Sequence, residues 1–415
     1  MNKLFFILLI LPVFAQEISV VSSRPGAVWQ PGETAVWNIK TAGAFENSFS
    51  WKLIQDGNRQ CSEGKGELRN GEAQAGGALD EPGWLLIKLT FRISGGSETN
   101  ILGGAVFAPE KIKPSLPAPA DFNAFWQKKI QELNAIAINI QDQKPTEENG
   151  IEYFKITLDN IRGTKIYGQL AKPAGANNLP AIIQYQYAGV YPLKKETVIN
   201  FAAKGYLAFN IMAHNLPCDQ PPEFYIMQAK NELKDYVKQG WEDRENSYFL
   251  RMLLGAYRAA DYISKRNDWN KKILIVTGTS QGGVQSFAAA ALHPAVTALS
   301  VNVPAGSDFS AMQSEKSGGW PGWSNAPRDI FEKVLFTGNY FSGAYFAELI
   351  KCRAIVSVGL IDTTSPPSAV IGAYNMLKGK KELIIMPSAA HGGPGKEAYT
   401  AAFSALLEEF TDVNK

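Results

Sequence analysis

The chain has 415 residues, 45% of them hydrophobic and 19% charged, with 41 lysines and arginines against 39 aspartates and glutamates. That composition excludes a mainly disordered protein. A net charge of +2 without a basic or acidic run gives no footprint for nucleic acid or for an anionic membrane. The length suits two domains.

The first fifteen residues, MNKLFFILLILPVFA, place Lys3 before an apolar stretch of about ten residues and end with Val13 and Ala15 at signal-peptidase spacing. The run is too short to span a bilayer. Residues 1–15 are therefore expected to be a signal peptide cleaved after Ala15. With Gln16 and no cysteine next, no lipid anchor is expected, and the mature protein is expected in the periplasm or outside the cell, free of the membrane.

Residues 16–110 show short β-rich runs, ISVVSS, TAVWNIK, FSWKLIQ, WLLIKLTFRIS and LGGAVFAP, separated by clusters such as PGE, ENS and DGN. The spacing predicts a small antiparallel, immunoglobulin-like sandwich. GGALD and GGSET read as turns within it. KIKPSLPAP (Lys111–Pro119) reads as a linker, because its prolines fit neither helix interior nor central strand.

Asp121–Ile136 reads as an amphipathic helix capped by Asp121, with Phe122, Phe125, Trp126 and Ile130 on one face. Eight apolar β-runs follow, from YFKITLD to ELIIMPSAAH, the later ones continuous in hydrophobicity and alternating with helical stretches. Such a pattern predicts a mostly parallel eight-stranded sheet covered on both faces, over residues 111–415. Cys61, Cys218 and Cys352 are too few and too scattered for a disulfide framework, and read mainly as buried thiols, with a Cys61–Cys218 bridge open.

The sharpest local signal is Gly278-Thr279-Ser280-Gln281-Gly282, between the strand ILIVT and the helical run GVQSFAAAALHP. G-x-S-x-G alone is weak, but strand, turn and helix together define a nucleophile elbow, with Ser280 projecting above the sheet and the Gln281 N–H aimed at a developing oxyanion. Serine needs a base, and three histidines are available. In this fold class the order is serine, acid, histidine, so His214 comes too early. His293 ends the nucleophile helix, with no room for an intervening strand. His391 remains, opening the HGGPG turn after ELIIMPSAA. Of the aspartates between, Asp308, Asp329 and Asp362, only Asp362 directly ends a long β-run, CRAIVSVGLI. No metal-type histidine or cysteine spacing, calcium loop or phosphate loop occurs, so neither metal nor cofactor is expected.

DFNAFW, IRGTKIYGQLAKP, GTSQGG, and above all GLIDTTSPPSAVIGAYN followed by HG, resemble the acetyl xylan esterases and cephalosporin C deacetylases of carbohydrate esterase family 7. The resemblance covers most of the chain from Pro119 onward. It implies an α/β-hydrolase fold and metal-free removal of acetyl groups from xylo-oligosaccharides and small acetylated compounds. By the same resemblance, Ser280 is nucleophile, Asp362 the acid and His391 the base. Where the family has a glycine-tyrosine-asparagine-glycine turn, this chain has Gln186-Tyr187-Ala188-Gly189, so the second oxyanion donor is the N–H of Tyr187 or of Ala188. The amino-terminal sandwich and the segment from His214 to Gln239 also depart from the compact family members, which form hexamers; homo-oligomerisation here stays open.

Trp320 and Trp323, in the turn-rich loop SGGWPGWSNAP, are candidates for stacking on sugar rings or for packing. Phe224, Tyr225 and Tyr248 are weaker candidates for lining the cleft. The expected function is a secreted serine esterase acting on acetylated carbohydrate. The alternatives are a prolyl-oligopeptidase-like peptidase, for which the amino-terminal region is too small to form a propeller, and a carbohydrate-binding protein on an inactive hydrolase fold.

Overall fold

The computed structural model describes residues 17–93, 96–142 and 144–412. The expected signal peptide, residues 1–15, lies outside the described residues. Eight strands form the amino-terminal region: β1 (Glu17–Ser22), β2 (Val28–Trp29), β3 (Thr34–Ala42), β4 (Phe45–Gln55), β5 (Arg59–Glu67), β6 (Glu72–Ala78), β7 (Gly83–Ile93) and β8 (Glu98–Phe107). They make two sheets, β1-β3-β6 and β2-β8-β7-β4-β5, closed over Trp37, Ile39, Leu53, Ile87, Leu89 and Phe91. GGALD is not simply a turn. Gly76 and Gly77 lie in β6, where a Cβ on Gly77 would come within 2.3 Å of Leu53 Cδ1. Small residues there let the two sheets approach, at the expense of any apolar alternation visible in the sequence.

The outer strands of this sandwich are not all solvent-facing. Along β8, Ala105 and Phe107 join the sandwich core while Val106 joins the core of the following α/β region. Alternate side chains of a strand point to opposite faces, so β8 is buried on both. The same holds for the first half of β7, whose Trp84 is 0% exposed on the face away from the sandwich core.

The α/β region comprises α1 (Phe122–Asn134), β9 (Gln141–Asp142), β10 (Thr146–Glu148), β11 (Ile151–Asp159), β12 (Lys165–Pro173), β13 (Leu179–Tyr185), α2 (Glu196–Ala202), β14 (Leu207–Ile211), α3 (Pro222–Lys230), α4 (Tyr248–Lys265), β15 (Trp269–Thr279), α5 (Gln281–Leu292), β16 (Ala298–Asn302), α6 (Phe331–Gly338), α7 (Gly343–Ala347), β17 (Arg353–Gly359), α8 (Pro367–Met376), β18 (Lys381–Met386) and α9 (Lys396–Asp412). The sheet has ten strands, in order β10-β11-β12-β14-β13-β15-β16-β17-β18 with β9 beside β11. The eight expected strands are β11 to β18. The additional β9 and β10 are short polar pieces on the antiparallel edge, with no apolar run to mark them. From β14 to β18 all pairings are parallel. One face packs on α1, α4, α5, α7 and α8, the other on α2 and α9 through Val198, Ala202, Tyr399 and Leu406.

Three local expectations change. Asp121 does not cap α1 through its side chain. Its carboxylate instead takes Arg244 Nη1 at 2.9 Å and the Tyr340 hydroxyl. The proline-rich stretch is a strap tied to the α/β region rather than a loose tether: Asn375 Nδ2 donates to the carbonyls of Pro109 and Ile112, Tyr345 Oη to that of Leu116, and Ser115 N donates to Asp308. All three cysteines are free, Cys61 exposed, Cys218 buried and Cys352 intermediate, so no Cys61–Cys218 bridge forms.

Candidate active site

Parallel strands from a right-handed βαβ arrangement expose their carboxyl ends on one edge, and loops there converge. Ser280 follows β15, Asp362 follows β17 and His391 follows β18, three of the four last strands in spatial order. Ser280 has φ 56° and ψ −122°, an unfavourable conformation for a residue with a Cβ. It is held there because its N–H donates to Asn302 O at 3.0 Å and its carbonyl accepts from Gly283 and Ala305. The glycines of the motif follow from the tightness of this turn. A Cβ on Gly278 would lie 2.3 Å from the Gly282 carbonyl oxygen, and one on Gly282 would lie 2.5 Å from that of Tyr185. Among the described residues Ser280 Oγ makes no hydrogen bond, which leaves the hydroxyl available to a substrate.

Asp362 is 0% exposed. One carboxylate oxygen accepts from the N–H groups of Thr364 and Ser365, each at 2.8 Å, and the other lies 2.8 Å from His391 Nδ1. A carboxylate only accepts, so Nδ1 donates to it and the other ring nitrogen, Nε2, is left facing away from the acid. Ser365 Oγ donates to Val303 O and Ser357 Oγ, in β17, to Asn302 Oδ1, lacing the acid loop and its strand to the end of β16, where Asn302 also holds Ser280. His293 and His214 stand elsewhere. His293 Nε2 lies 3.9 Å from Asp261 at the far end of α5, and His214 is fully buried.

Among the described residues, the first helical N–H of α5, that of Gln281, has no protein acceptor, and neither do the N–H groups of Tyr187 and Ala188. Tyr185 pairs in register with Gly278, and Gln285 Nε2 donates to Gln186 O at 2.9 Å, so the loop after β13 lies against the elbow. Unpaired donors at a helix start beside a serine hydroxyl are the geometry that an oxyanion site requires. Among the described residues no group of three histidine, cysteine or acidic side chains is placed to hold a metal ion.

The two tryptophans differ. Trp320 is half-buried against Phe249, with its backbone N–H on Thr364 O at 2.8 Å, two residues beyond the acid. Trp323 is 3% exposed, its Nε1 donates to Val237 O, and its rings pack on Phe249, Phe309 and Trp241. It presents no free face to a sugar, so of the two expectations for this residue the structure gives packing. Tyr225 and Tyr248 are likewise buried with their hydroxyls bonded. The sequence points to Tyr187 only through its backbone. Its ring is 53% exposed and stacked on Tyr191 with centroids 4.8 Å apart. The tyrosine spacing in YQYAGVY was the available signal.

A strained serine at a strand-helix elbow on the carboxyl edge of a parallel sheet, with an Asp-His pair on neighbouring strand ends, defines an α/β-hydrolase. The family model for acetyl xylan esterase matches residues 109–405, and the chain belongs to that family and is a carboxylic ester hydrolase. It is 30% identical over 347 residues to acetyl esterase Axe7A of Xylanibacter ruminicola, covering 82% of this chain and 78% of that protein. In fold it is similar to the acetyl xylan esterase from Paenibacillus sp. R4, with 24% identity, TM-score 0.63, and coverage of 72% of this chain and 98% of the other. It is also similar to acetyl xylan esterase 1 from Thermoanaerobacterium sp. JW/SL YS485, with 22% identity, TM-score 0.62, and coverage of 72% and 97%.

Proposed function

We propose that this protein is a secreted serine esterase that removes O-acetyl groups from carbohydrate, acetylated xylan or xylo-oligosaccharides, through an acyl-enzyme on Ser280. The observation that carries the reading is the 2.8 Å pairing of His391 Nδ1 with a fully buried Asp362, on the sheet edge that presents Ser280. In the first half-reaction Ser280 Oγ bonds to the acetyl carbonyl carbon and His391 Nε2 takes its proton. The tetrahedral oxyanion is held by the N–H of Gln281 and by that of Tyr187 or Ala188. Collapse breaks the bond to the sugar oxygen, which leaves with the proton from His391. Water then attacks the acetyl group by the same route and frees acetate and Ser280. Asp362 fixes the tautomer and stabilises the imidazolium.

Trp320 and the Tyr187–Tyr191 stack are the aromatic surfaces beside this chemistry suited to a sugar ring. The names of the relatives support the acetylated-carbohydrate substrate, and the amino-terminal residue pattern supports export. The test is acetate release from acetylated xylan, acetylated xylo-oligosaccharides and p-nitrophenyl acetate by wild type and Ser280→Ala, each with and without a chelator, together with fluorophosphonate labelling. Serine-dependent, chelator-resistant release is expected, with label on Ser280. Unchanged turnover in folded Ser280→Ala would refute the mechanism, and a mature chain that does not begin at Gln16 would refute the cleavage site.

A further inference from the structure

We infer that Tyr236 and His214, which lie between β14 and α4, are positioning residues for the oxyanion hole, fastening the loop of Tyr187 and Ala188 to the helix start that carries Gln281. The inference rests on the serine-esterase reading and gives a task to the segment from His214 to Gln239.

The Tyr236 hydroxyl bridges the two halves of the hole. It lies 2.7 Å from Gln281 Oε1, to which it donates, and it accepts from the N–H of Gly189 at 3.3 Å. One proton and one lone pair are thereby matched, and turning the Gln281 amide over would leave the bridge in place. The carbonyl of the same Gly189 takes His214 Nε2 at 2.9 Å. A carbonyl only accepts, so Nε2 bears the proton, and Nδ1 accepts from the Tyr248 hydroxyl 2.8 Å away. Ala213 O, also near that hydroxyl, is satisfied by Arg251 Nη2 at 2.8 Å. Both backbone groups of Gly189 are thus engaged.

The other end of the loop is fixed as well. Gln186 Oε1 accepts from Ala213 N at 2.9 Å, and its Nε2 donates to Tyr191 O at 3.1 Å. Tyr187 and Ala188, whose N–H groups have no protein acceptor among the described residues, lie between these two anchors. Oxyanion donors accelerate the reaction only if they are held in place before charge develops. His214 is 0% exposed and far from the role of base; burial pushes its pKa down to about 4, so it serves as a neutral donor. Its ring packs edge-on against Tyr236 at 4.8 Å, which ties the two residues into one unit.

The experiment uses the full chain with Tyr236→Phe, which keeps the ring and removes only the bridge. For p-nitrophenyl acetate, kcat should fall about tenfold or more with KM little changed, a smaller effect than loss of a direct donor. The inhibition constant of a small trifluoromethyl ketone should rise by the same factor, because Ser280 adds to it to form a hemiketal alkoxide that occupies the hole. Should Tyr236→Phe fail to fold, His214→Gln carries the same two readouts and should retain more activity than His214→Phe, because the amide still donates to Gly189. Kinetics and inhibition within about twofold of wild type overturn the inference, as does a fall in kcat without the matching loss of inhibitor affinity. Absence of Ser280-dependent hydrolysis in the wild type would instead overturn the esterase mechanism on which it stands.

Discussion

The indole N–H of Trp84 donates to the carbonyl of Leu360 at 2.8 Å, and both residues are fully buried. Trp84 belongs to the sandwich, while Leu360 lies two residues before Asp362. A second line of contact runs through Asp56, whose carbonyl accepts from Ser317 N and whose carboxylate accepts from Trp84 N at 3.1 Å. The loop of Ser317 then reaches the acid loop through Trp320 N and Thr364 O. The sandwich is thus seated on the segment that holds Asp362.

Trp84→Phe should leave the Leu360 carbonyl buried without a donor, at a cost of about 1–3 kcal/mol in unfolding by denaturant. Because the loop also carries the acid, kcat should fall while KM stays near wild type. Unaltered kcat in a measurably destabilised variant would reduce the sandwich contact to stability alone.

Asp362→Asn should abolish most turnover with the chain still folded. The amide can still accept from Thr364 and Ser365, but it presents an N–H or a neutral oxygen to His391 Nδ1 and no longer fixes the tautomer. By analogy with the serine protease triad, kcat should drop on the order of 10⁴-fold. Steady-state kinetics on p-nitrophenyl acetate, with a melting curve as the folding control, reads both parts.

Acid should destabilise the protein in a window set by His214. Burial lowers its folded pKa to about 4, with Arg251 adding in the same direction and the Gly189 carbonyl opposing; Tyr236 and Tyr248 are the other groups that face it. The unfolded histidine titrates near 6.5, so between these values the unfolded chain binds the extra proton and stability falls as pH falls. The loss amounts to roughly 3 kcal/mol across that window. Asp261, held at about 2, contributes its own loss only below the ordinary carboxylate range. Unfolding free energies from pH 7 to 4 should therefore slope less in His214→Gln than in wild type.

Iodoacetamide should modify one thiol in the native state and three after unfolding. Cys61 is exposed, whereas burial pushes the pKa of both Cys218 and Cys352 up to about 11 and leaves little thiolate. Mass spectrometry of the intact protein counts the adducts.

Much of the site was legible in the sequence because its signals are local. The elbow shows as small residues between an apolar strand and a helix, and Asp362 and His391 show as polar residues directly ending long β-runs. Those eight runs also gave the sheet its strands. Where local pattern was weak the reading missed: β5 and β6 carry little apolar alternation, and β9 and β10 are short and polar. The sequence left Trp323 open between sugar stacking and packing; Phe249 and Phe309, distant in the chain, close over it.

Sequence alone determined the two kinds of architecture and marked Ser280, Asp362 and His391 as candidates, since strand periodicity, turn chemistry and residue order are properties of neighbours along the chain. Only the tertiary structure decided that WLLI in β7 is buried on both faces because it lies against the acid loop, and that His214 serves a backbone carbonyl rather than a proton transfer. Trp84 and Leu360 are 276 residues apart, and His214 meets Gly189 across 25. Such pairings arise when burial strips water from polar groups and each must find a partner wherever the packed chain supplies one.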